Sequence, residues 1–436
     1  MPYRYGTEQN RSKQYIKPWY AIPNNHNSSK KVLIIGGGIS GAATAYSLAN
    51  RGYSVKLYEK SHKLASGASG NYQAILYNTG AGDYMPLKEL SFNSYSYTNN
   101  LVKLLLTPGT EYQTSGLIQL AYNSKTLKQQ QKILKSQLPP NFCYSVNKTQ
   151  MQELSGVSIQ CEAGIYYPHG MWLNPSSLIH KLANHPNIEV ILNNQVINLE
   201  LNKTNNNKFQ WEIVTNQDVL DNAPNLVLCN SYLLNHFKQT ANLKLHVTRG
   251  QISKIKNASN LNTIICSNGY VIPNLNDCYT IGATFKNYPA LTSAGEDKLN
   301  IILDEHQENL SHILPYVPEL SADINPNNIE GQANLRAHTH DYLPLVGPLA
   351  NYTEFKQCYK SLALDANYKI ETQCPYLPGL YINALFGSKG MLTAPMCGEI
   401  IADYIDNTPC AVSESLRQAL HPNRLWIKDI IRSKIT

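Results

Sequence analysis

Residues 36–41 read Gly-Gly-Gly-Ile-Ser-Gly and follow directly on the apolar run Val32-Leu33-Ile34-Ile35. Glycines at positions 36, 38 and 41 have the G-x-G-x-x-G spacing, and each has a mechanical use. Gly36 permits a tight turn, Gly38 lets backbone approach a pyrophosphate, and Gly41 lets a following helix pack close to the strand. A helix opening at Ile39 and Ser40 would offer its unpaired N–H groups to the phosphates. At the end of the next apolar run stands Glu59, whose carboxylate is placed to accept hydrogen bonds from ribose hydroxyls. A packing turn rich in glycine is the alternative, but the strand before it, the helix after it and Glu59 together favour a dinucleotide.

Two further clusters bear on which dinucleotide. Ser66-Gly67-Ala68-Ser69-Gly70-Asn71 comes soon after Glu59, and Phe386-Gly387-Ser388-Lys389-Gly390-Met391-Leu392 lies near the other end of the chain. Small residues in the first let backbone amides reach a second set of cofactor contacts, with Ala68, Ser69 and Asn71 as the candidates. The second opens a helix at Gly390, whose N-terminus suits the N1/O2 edge of a flavin, where negative charge develops on reduction. Glycine-rich contributions from both ends of the chain favour FAD over NAD.

The elements that must position these groups follow from periodicity. Strand 32–35, helix 39–50 and strand 54–58 make a βαβ unit, hence a parallel sheet with a right-handed crossover. Amphipathic helices are expected over 87–106 and 127–138, with a strand at 117–121. A second α/β stretch is expected from a helix after Asn174 and strands near Val190, at 196–201, 211–214 and 226–229. Residues 246–286 alternate with period two between glycines, which predicts antiparallel sheet. A strand at 380–383, the turn 387–390 and a helix to Ile405 close the pattern. The expected class is α/β (α+β overall), a Rossmann-like FAD-binding domain with a second, mostly antiparallel substrate domain. The division expected is 1–30 as a linker-like segment, 31–85, 170–245 and 335–436 for the cofactor, and 86–169 and 246–334 for the substrate.

A chain of 436 residues, 42% hydrophobic and 15% charged, is a folded protein of two domains rather than a disordered one. Nine cysteines without a CxxC pair suit neither a zinc site nor a complete disulfide framework. His338 and His340 form an HxH with no third ligand at useful spacing, so no metal is expected. The first 31 residues lack an apolar leader core, and the run 32–49 is broken by glycines, so a cytoplasmic protein without membrane contact is expected. Net charge is +7, with six basic residues against one acid in 1–31 and five against one in 417–436, leaving the body at −2. Basic ends on a near-neutral body suit a polyanionic partner, and also suit simple solubilising tails. Asn205 to Lys208 reads as a solvated loop.

Over nearly its whole length the sequence resembles the D-amino-acid oxidase-like flavoproteins, and within them the oxidoreductase domains of bifunctional tRNA-modifying enzymes. The resemblance is carried by GGGISGAATAYSLANRGYSVKLYE, GASGNYQAILY, GMWLNP, VTRGQIS, NGYVIP, IGATF, RAHTHDYLPLVG, LFGSKGMLTAPMCGEI and LHPNRLWIKDIIRSK, while KPWYA is similar to the tether that joins the two activities. It implies oxidative demodification of 5-carboxymethylaminomethyl(-2-thio)uridine at the tRNA wobble position, releasing glyoxylate, with a separate SAM-dependent methyltransferase as a candidate partner acting on the product. It extends the cofactor contacts to Lys60, Gln73 and Val196. Arg336 falls where the family places an arginine that grips the substrate carboxylate, the alternative being a salt bridge; Tyr270 falls where related oxidases put a carboxylate-contacting tyrosine, the alternative being packing. Lys389 stands where relatives carry arginine, beside the flavin or against an RNA phosphate. Ala74 is commonly glycine in the family. Relatives with covalent flavin carry cysteine near Asn334, so non-covalent FAD is implied. The segment from His421 to Lys428 either contacts RNA or docks Leu425 and Trp426 into the core. An oxidase of free glycine, sarcosine or a D-amino acid, and a non-catalytic FAD-loaded tRNA-binding factor, are the competing functions.

Overall fold

The computed structural model describes residues 17–433 apart from 24–28, 81–83, 137, 205, 207, 257–259, 276–277, 289–298, 322–323, 325–328 and 411. Most of the basic N-terminal segment, and Asn205 and Asn207 of the expected loop, thus lie outside the described residues.

The run Lys31–Ile35 forms a strand paired in parallel with Ser54–Tyr58 on one side and Asn225–Leu228 on the other. Tyr376–Ala384 and Ile188–Ile191 extend this sheet in parallel, and Leu345–Ala350 adds an antiparallel edge. Because successive side chains point to opposite faces, Val32 and Ile34 join the core beneath the helices Ile39–Ala49 and Gly390–Asp406. Leu33 and Ile35 join a second core with Trp211, Phe355 and Trp426 on the other face. A strand buried on both faces reads as an uninterrupted apolar run, which is what this segment shows.

Of the second α/β stretch, only Ile188–Ile191 and Asn225–Leu228 enter the parallel sheet. Residues 196–223 form an antiparallel meander of Val196–Lys203, Phe209–Thr215 and the unexpected strand Leu220–Ala223. The expected helix at 127–138 runs instead over Ser124–Lys135, because Asn123 accepts from the Thr126 N–H (2.8 Å) and fixes an earlier start.

The large sheet is antiparallel through His246–Lys256, Tyr270–Leu275, Cys278–Gly282 and Glu330–His338. One parallel joint, Ile264–Cys266 on Leu117–Leu120, links it to the earlier part of the chain. The strand Glu330–His338 runs through residue 334, so a division between 334 and 335 falls inside a strand.

Two terminal segments are more tightly held than their sequence suggests. Trp19, expected in a linker, is 4% exposed and packs edge-on against Tyr359, and its carbonyl accepts from Asn423 Nδ2 (2.9 Å). The helix Asn423–Arg432 buries Leu425, Trp426 and Ile427, which decides the reading of the C-terminal tail in favour of docking. Its Arg424 is buried as well, donating to Asp341 and to the carbonyls of Leu343 and Pro344. Lys428 adds a second cation at 3.0 Å from Asp341.

Burial alone would raise the Asp341 pKa, but Arg424, Lys428 and the Thr339 hydroxyl outweigh it and hold the carboxyl well below the usual range. A carboxylate depressed in the folded state contributes stability above its unfolded pKa of about 4 and loses it as pH falls further. Arg424→Ala should therefore lower unfolding stability at neutral pH by on the order of 3 kcal/mol, the cost of leaving a buried charge short of its partner. Its stability should also fall less steeply than wild type below about pH 4. Urea titrations across pH measure both, and superimposable curves for the two proteins would refute the assignment.

Candidate active site

A cleft of about 700 Å³ opens at the C-terminal ends of the parallel strands and runs across to the large sheet. At its floor Gly36 has φ +111°, and a Cβ there would meet the Cys229 carbonyl oxygen at 2.6 Å. Gly41 does not line the cleft; a Cβ on it would meet Gly36 O at 1.9 Å, so its part is to let the helix sit against the strand. Gly38, Ile39 and Ser40 do line it, at a helix N-terminus whose cap residue, Gly38, supplies no side-chain hydrogen bond. The first-turn N–H groups of such a helix lack intrahelical partners. The Ser69 hydroxyl accepts from Ile39 N–H (3.1 Å), which brings the second glycine cluster over the first. The Ser40 hydroxyl donates to the Asn383 carbonyl and so ties the helix to the neighbouring strand, leaving its backbone for a ligand.

Glu59 is buried beside this turn, its two oxygens accepting from Gly37 N–H (2.7 Å) and Ser61 N–H (2.9 Å). Lys60 lines the same end, its ammonium 5.9 Å from the centre of the Tyr232 ring, and Val196 closes the floor there. Ala68 and Asn71 lie along the middle. Gln73 also lines the cleft, but its amide is engaged, donating to Pro273 O (3.0 Å) and accepting from Thr280 (2.7 Å). At the far end the turn Gly387–Lys389 leads into the helix Gly390–Asp406, so Gly387, Ser388, Gly390, Met391 and Leu392 bring a second helix N-terminus to the cleft. Lys389 is exposed at the rim, although the walls around its stem draw its pKa down through desolvation. A long cleft with bare backbone turns at both ends and a carboxylate at one fits an extended dinucleotide of the size of FAD.

The wall facing these turns comes from the large sheet. Arg336 is 8% exposed, and its Nη1 is buried without a hydrogen-bond partner among the described residues. Burial pushes its pKa down while Tyr270 pulls the other way, and a guanidinium remains a cation throughout. Phe285 lies over it with the ring centre 5.2 Å from Cζ. Tyr270 lines the same end, and desolvation raises its pKa, so the phenol stays protonated at neutral pH. Asn334, two residues before Arg336, donates its amide to Gly67 O (3.1 Å).

The structure brings Arg336, Tyr270 and all three backbone turns around one cleft, together with two groups to which the sequence assigned no role. Phe285 closes the IGATF segment that carries the resemblance, but it has no pattern of its own that points to a role. Gly250 pairs with Asn334 in the sheet register, and a Cβ there would meet Arg336 Nη1 at 1.9 Å. A glycine inside an alternating strand signals close approach by another group, and here that group is the guanidinium. His338 Nδ1 is 2.9 Å from Thr339 O, and among the described residues no group of three or more His, Cys, Asp or Glu is suited to a metal. No described helix is long and apolar enough to cross a membrane.

Comparison with known proteins agrees with this geometry. The chain is 35% identical over 424 residues to the tRNA 5-methylaminomethyl-2-thiouridine biosynthesis bifunctional protein MnmC of Chromobacterium violaceum, covering 96% of this chain and 63% of that protein. It is 36% identical to the MnmC of Pseudomonas syringae pv. syringae, covering 96% and 62%. The chain thus spans less than two thirds of the length of these relatives. Among solved structures, glycine oxidase from Geobacillus kaustophilus superposes with a TM-score of 0.69 at 18% identity, over 90% of this chain and 98% of that one. Glycine oxidase from Bacillus cereus gives 0.68 at 20%, over 86% and 95%. These two show the fold alone. Residues 31–404 match the family described as FAD dependent oxidoreductase, to which this chain belongs.

Proposed function

We propose that this chain removes the carboxymethyl group from 5-carboxymethylaminomethyl(-2-thio)uridine at the wobble position of tRNA, leaving the 5-aminomethyl nucleoside and glyoxylate. The observation that carries the reading is Arg336, a buried guanidinium with an unpartnered Nη1 in the cleft wall. A planar cation in that state fits a carboxylate, which its fork can hold bidentately. The likeness to MnmC supports tRNA as the bearer of that carboxylate, and a tRNA substrate implies the cytoplasm. A separate SAM-dependent methyltransferase is then the candidate consumer of the aminomethyl product.

In this reading the amides after Gly36 and at the start of the first helix hold the FAD diphosphate, and Glu59 receives the ribose hydroxyls. Ser69 and Asn71 hold the middle of the cofactor. The second helix N-terminus, at Gly390, would favour the negative charge that a flavin ring gains on reduction. In this reading the flavin is held without a covalent bond: asparagine and not cysteine stands at position 334, and burial raises the thiols of Cys229 and Cys266, both in the cleft.

Arg336 fixes the carboxylate of the glycine unit, the protonated Tyr270 hydroxyl donates to it, and Phe285 shields the pair from water. Bound FAD would supply acceptance of two electrons as a hydride from the glycine α-carbon, and release of the amine N–H proton to solvent would complete the C=N. Water then adds to that bond and splits it into the primary amine and glyoxylate. Positioning is the protein's main contribution, because holding the C–H bond in one geometry removes much of the entropic barrier.

Incubation with tRNA carrying carboxymethylaminomethyl uridine, followed by nucleoside mass spectrometry, should show loss of the carboxymethyl group. Turnover of free glycine, sarcosine or a D-amino acid with unchanged tRNA would assign a plain oxidase instead. Binding of tRNA without bleaching of the flavin by any of these would assign a non-catalytic factor. Arg336→Ala should abolish turnover in a protein that stays yellow, and full activity in that variant would remove the residue from the site. Gly38→Val should give colourless protein, since a branched side chain would stand between the turn and the diphosphate; a flavin spectrum at full occupancy would mean that the phosphates sit elsewhere.

A further inference from the structure

Beside the mouth of the cleft, three aromatic rings form one stack that neither the flavin site nor the carboxylate site uses. His246 and His338, on paired strands, have ring centres 5.5 Å apart and planes 22° apart. His338 in turn lies 4.8 Å from Tyr342 with the planes 9° apart. The stack ends in the open: Tyr342 is 66% exposed, with one ring face covered by His338. The position is next to the cofactor end of the cleft, because His338 follows Arg336 by two residues and bridges to Phe386 of the second glycine turn.

The backbone beneath Tyr342 is built to present it. Tyr342 has φ +58°, a left-handed conformation that a bulky side chain rarely adopts and that glycine or asparagine would adopt at lower cost. The turn is over-determined: Tyr342 N–H donates to Thr339 O (3.2 Å), and the Thr339 hydroxyl lies 2.7 Å from Leu343 O and 2.8 Å from Asp341 Oδ1. Asp341 is itself held by Arg424 and Lys428 of the C-terminal helix. An exposed apolar ring kept in a costly conformation by a buried ion cluster invites a role at the surface.

We infer that the outer face of Tyr342 is a stacking platform for a nucleobase adjacent to the wobble uridine, so that the base next to the target packs on the ring while the modified side chain enters the cleft. The inference rests on the proposed tRNA substrate and adds where its neighbouring base is held. Flat aromatic faces at the surface are the common means of binding unstacked bases, and each such contact is worth a five- to 150-fold change in affinity on alanine substitution. The basic C-terminal segment thereby contributes to RNA binding through Asp341 and the turn, with Arg424 itself buried.

The test uses the intact flavoprotein and an anticodon stem-loop RNA carrying 2-aminopurine in turn at either neighbour of the wobble position. Stacking on Tyr342 should quench one of the two probes on binding. Tyr342→Ala should lose that quenching, bind the stem-loop five- to 150-fold more weakly and raise KM for modified tRNA to match. Its kcat, flavin content and turnover of the free carboxymethylaminomethyl uridine nucleoside should stay unchanged. Tyr342→Phe, which keeps the ring face, should behave as wild type. Affinity within twofold of wild type in Tyr342→Ala, or equal losses on tRNA and nucleoside, would overturn the platform while leaving the proposed reaction intact. Tyrosine-dependent quenching without turnover of modified tRNA would uphold the platform and sink the reaction. Failure of the wild-type protein to bind the stem-loop would overturn both.

Discussion

A guanidinium taken out of water and left without a carboxylate is costly, and the substrate wall is arranged around one. Arg336 projects from the edge strand Glu330–His338 into a space kept open by the absence of a side chain at Gly250 and roofed by the Phe285 ring. Among the described residues, the groups against it are an aromatic face and a phenol, not an acid. An arrangement that only had to be stable would place a carboxylate there, as the helix Leu303–Ser311 does for Arg249 of the same sheet, whose ion pair with Glu305 is buried on both sides. The contrast between two buried arginines on paired strands is the strongest physical argument that the missing partner of Arg336 arrives with a substrate.

The cofactor side depends on a different constraint, close approach of backbone to backbone. Gly41 and Gly36 allow the first helix to sit on the strand that feeds it, and the Ser40 hydroxyl fastens that helix to the strand Tyr376–Ala384, more than 300 residues later in sequence. The same strand leads into the second glycine turn. Both helix N-termini are therefore set against one sheet, and their dipoles converge on one cleft. A ligand with a phosphate-rich middle and an electron-accepting end matches that polarity along its length.

How much of this could be read from the sequence follows the range of the interactions involved. The βαβ unit, the glycine turns and Glu59 are written in consecutive residues, because apolar runs and glycine spacing are local codes. Arg336 and Tyr270 were reachable only through resemblance, since a lone arginine in a strand has no signature. Phe285 and Gly250 were missed for a related reason: their meaning lies in the register that sets 250 opposite 334. The meander at 196–223 was misjudged because alternation reveals a strand but not the direction of its neighbour. Trp19 was assigned to a linker and the C-terminal helix was left between two readings, since burial of Trp19 against Tyr359 and of Trp426 against Phe355 joins segments that nothing local connects.

The tail shows how such ambiguity can be resolved without discarding either side. Its charges suggested RNA and its apolar residues suggested packing, and these looked like rivals. In the structure the apolar face fills the core, and Arg424 and Lys428 point at Asp341, under the turn that exposes Tyr342. Cations spent on an internal carboxylate add little to the field felt by a polyanion. They can still govern how the polyanion is met, because the ring that faces outward keeps its orientation only while the turn beneath it is fixed. Charge in this segment thus acts as scaffolding for an uncharged contact, an effect that a count of basic residues cannot distinguish from direct attraction.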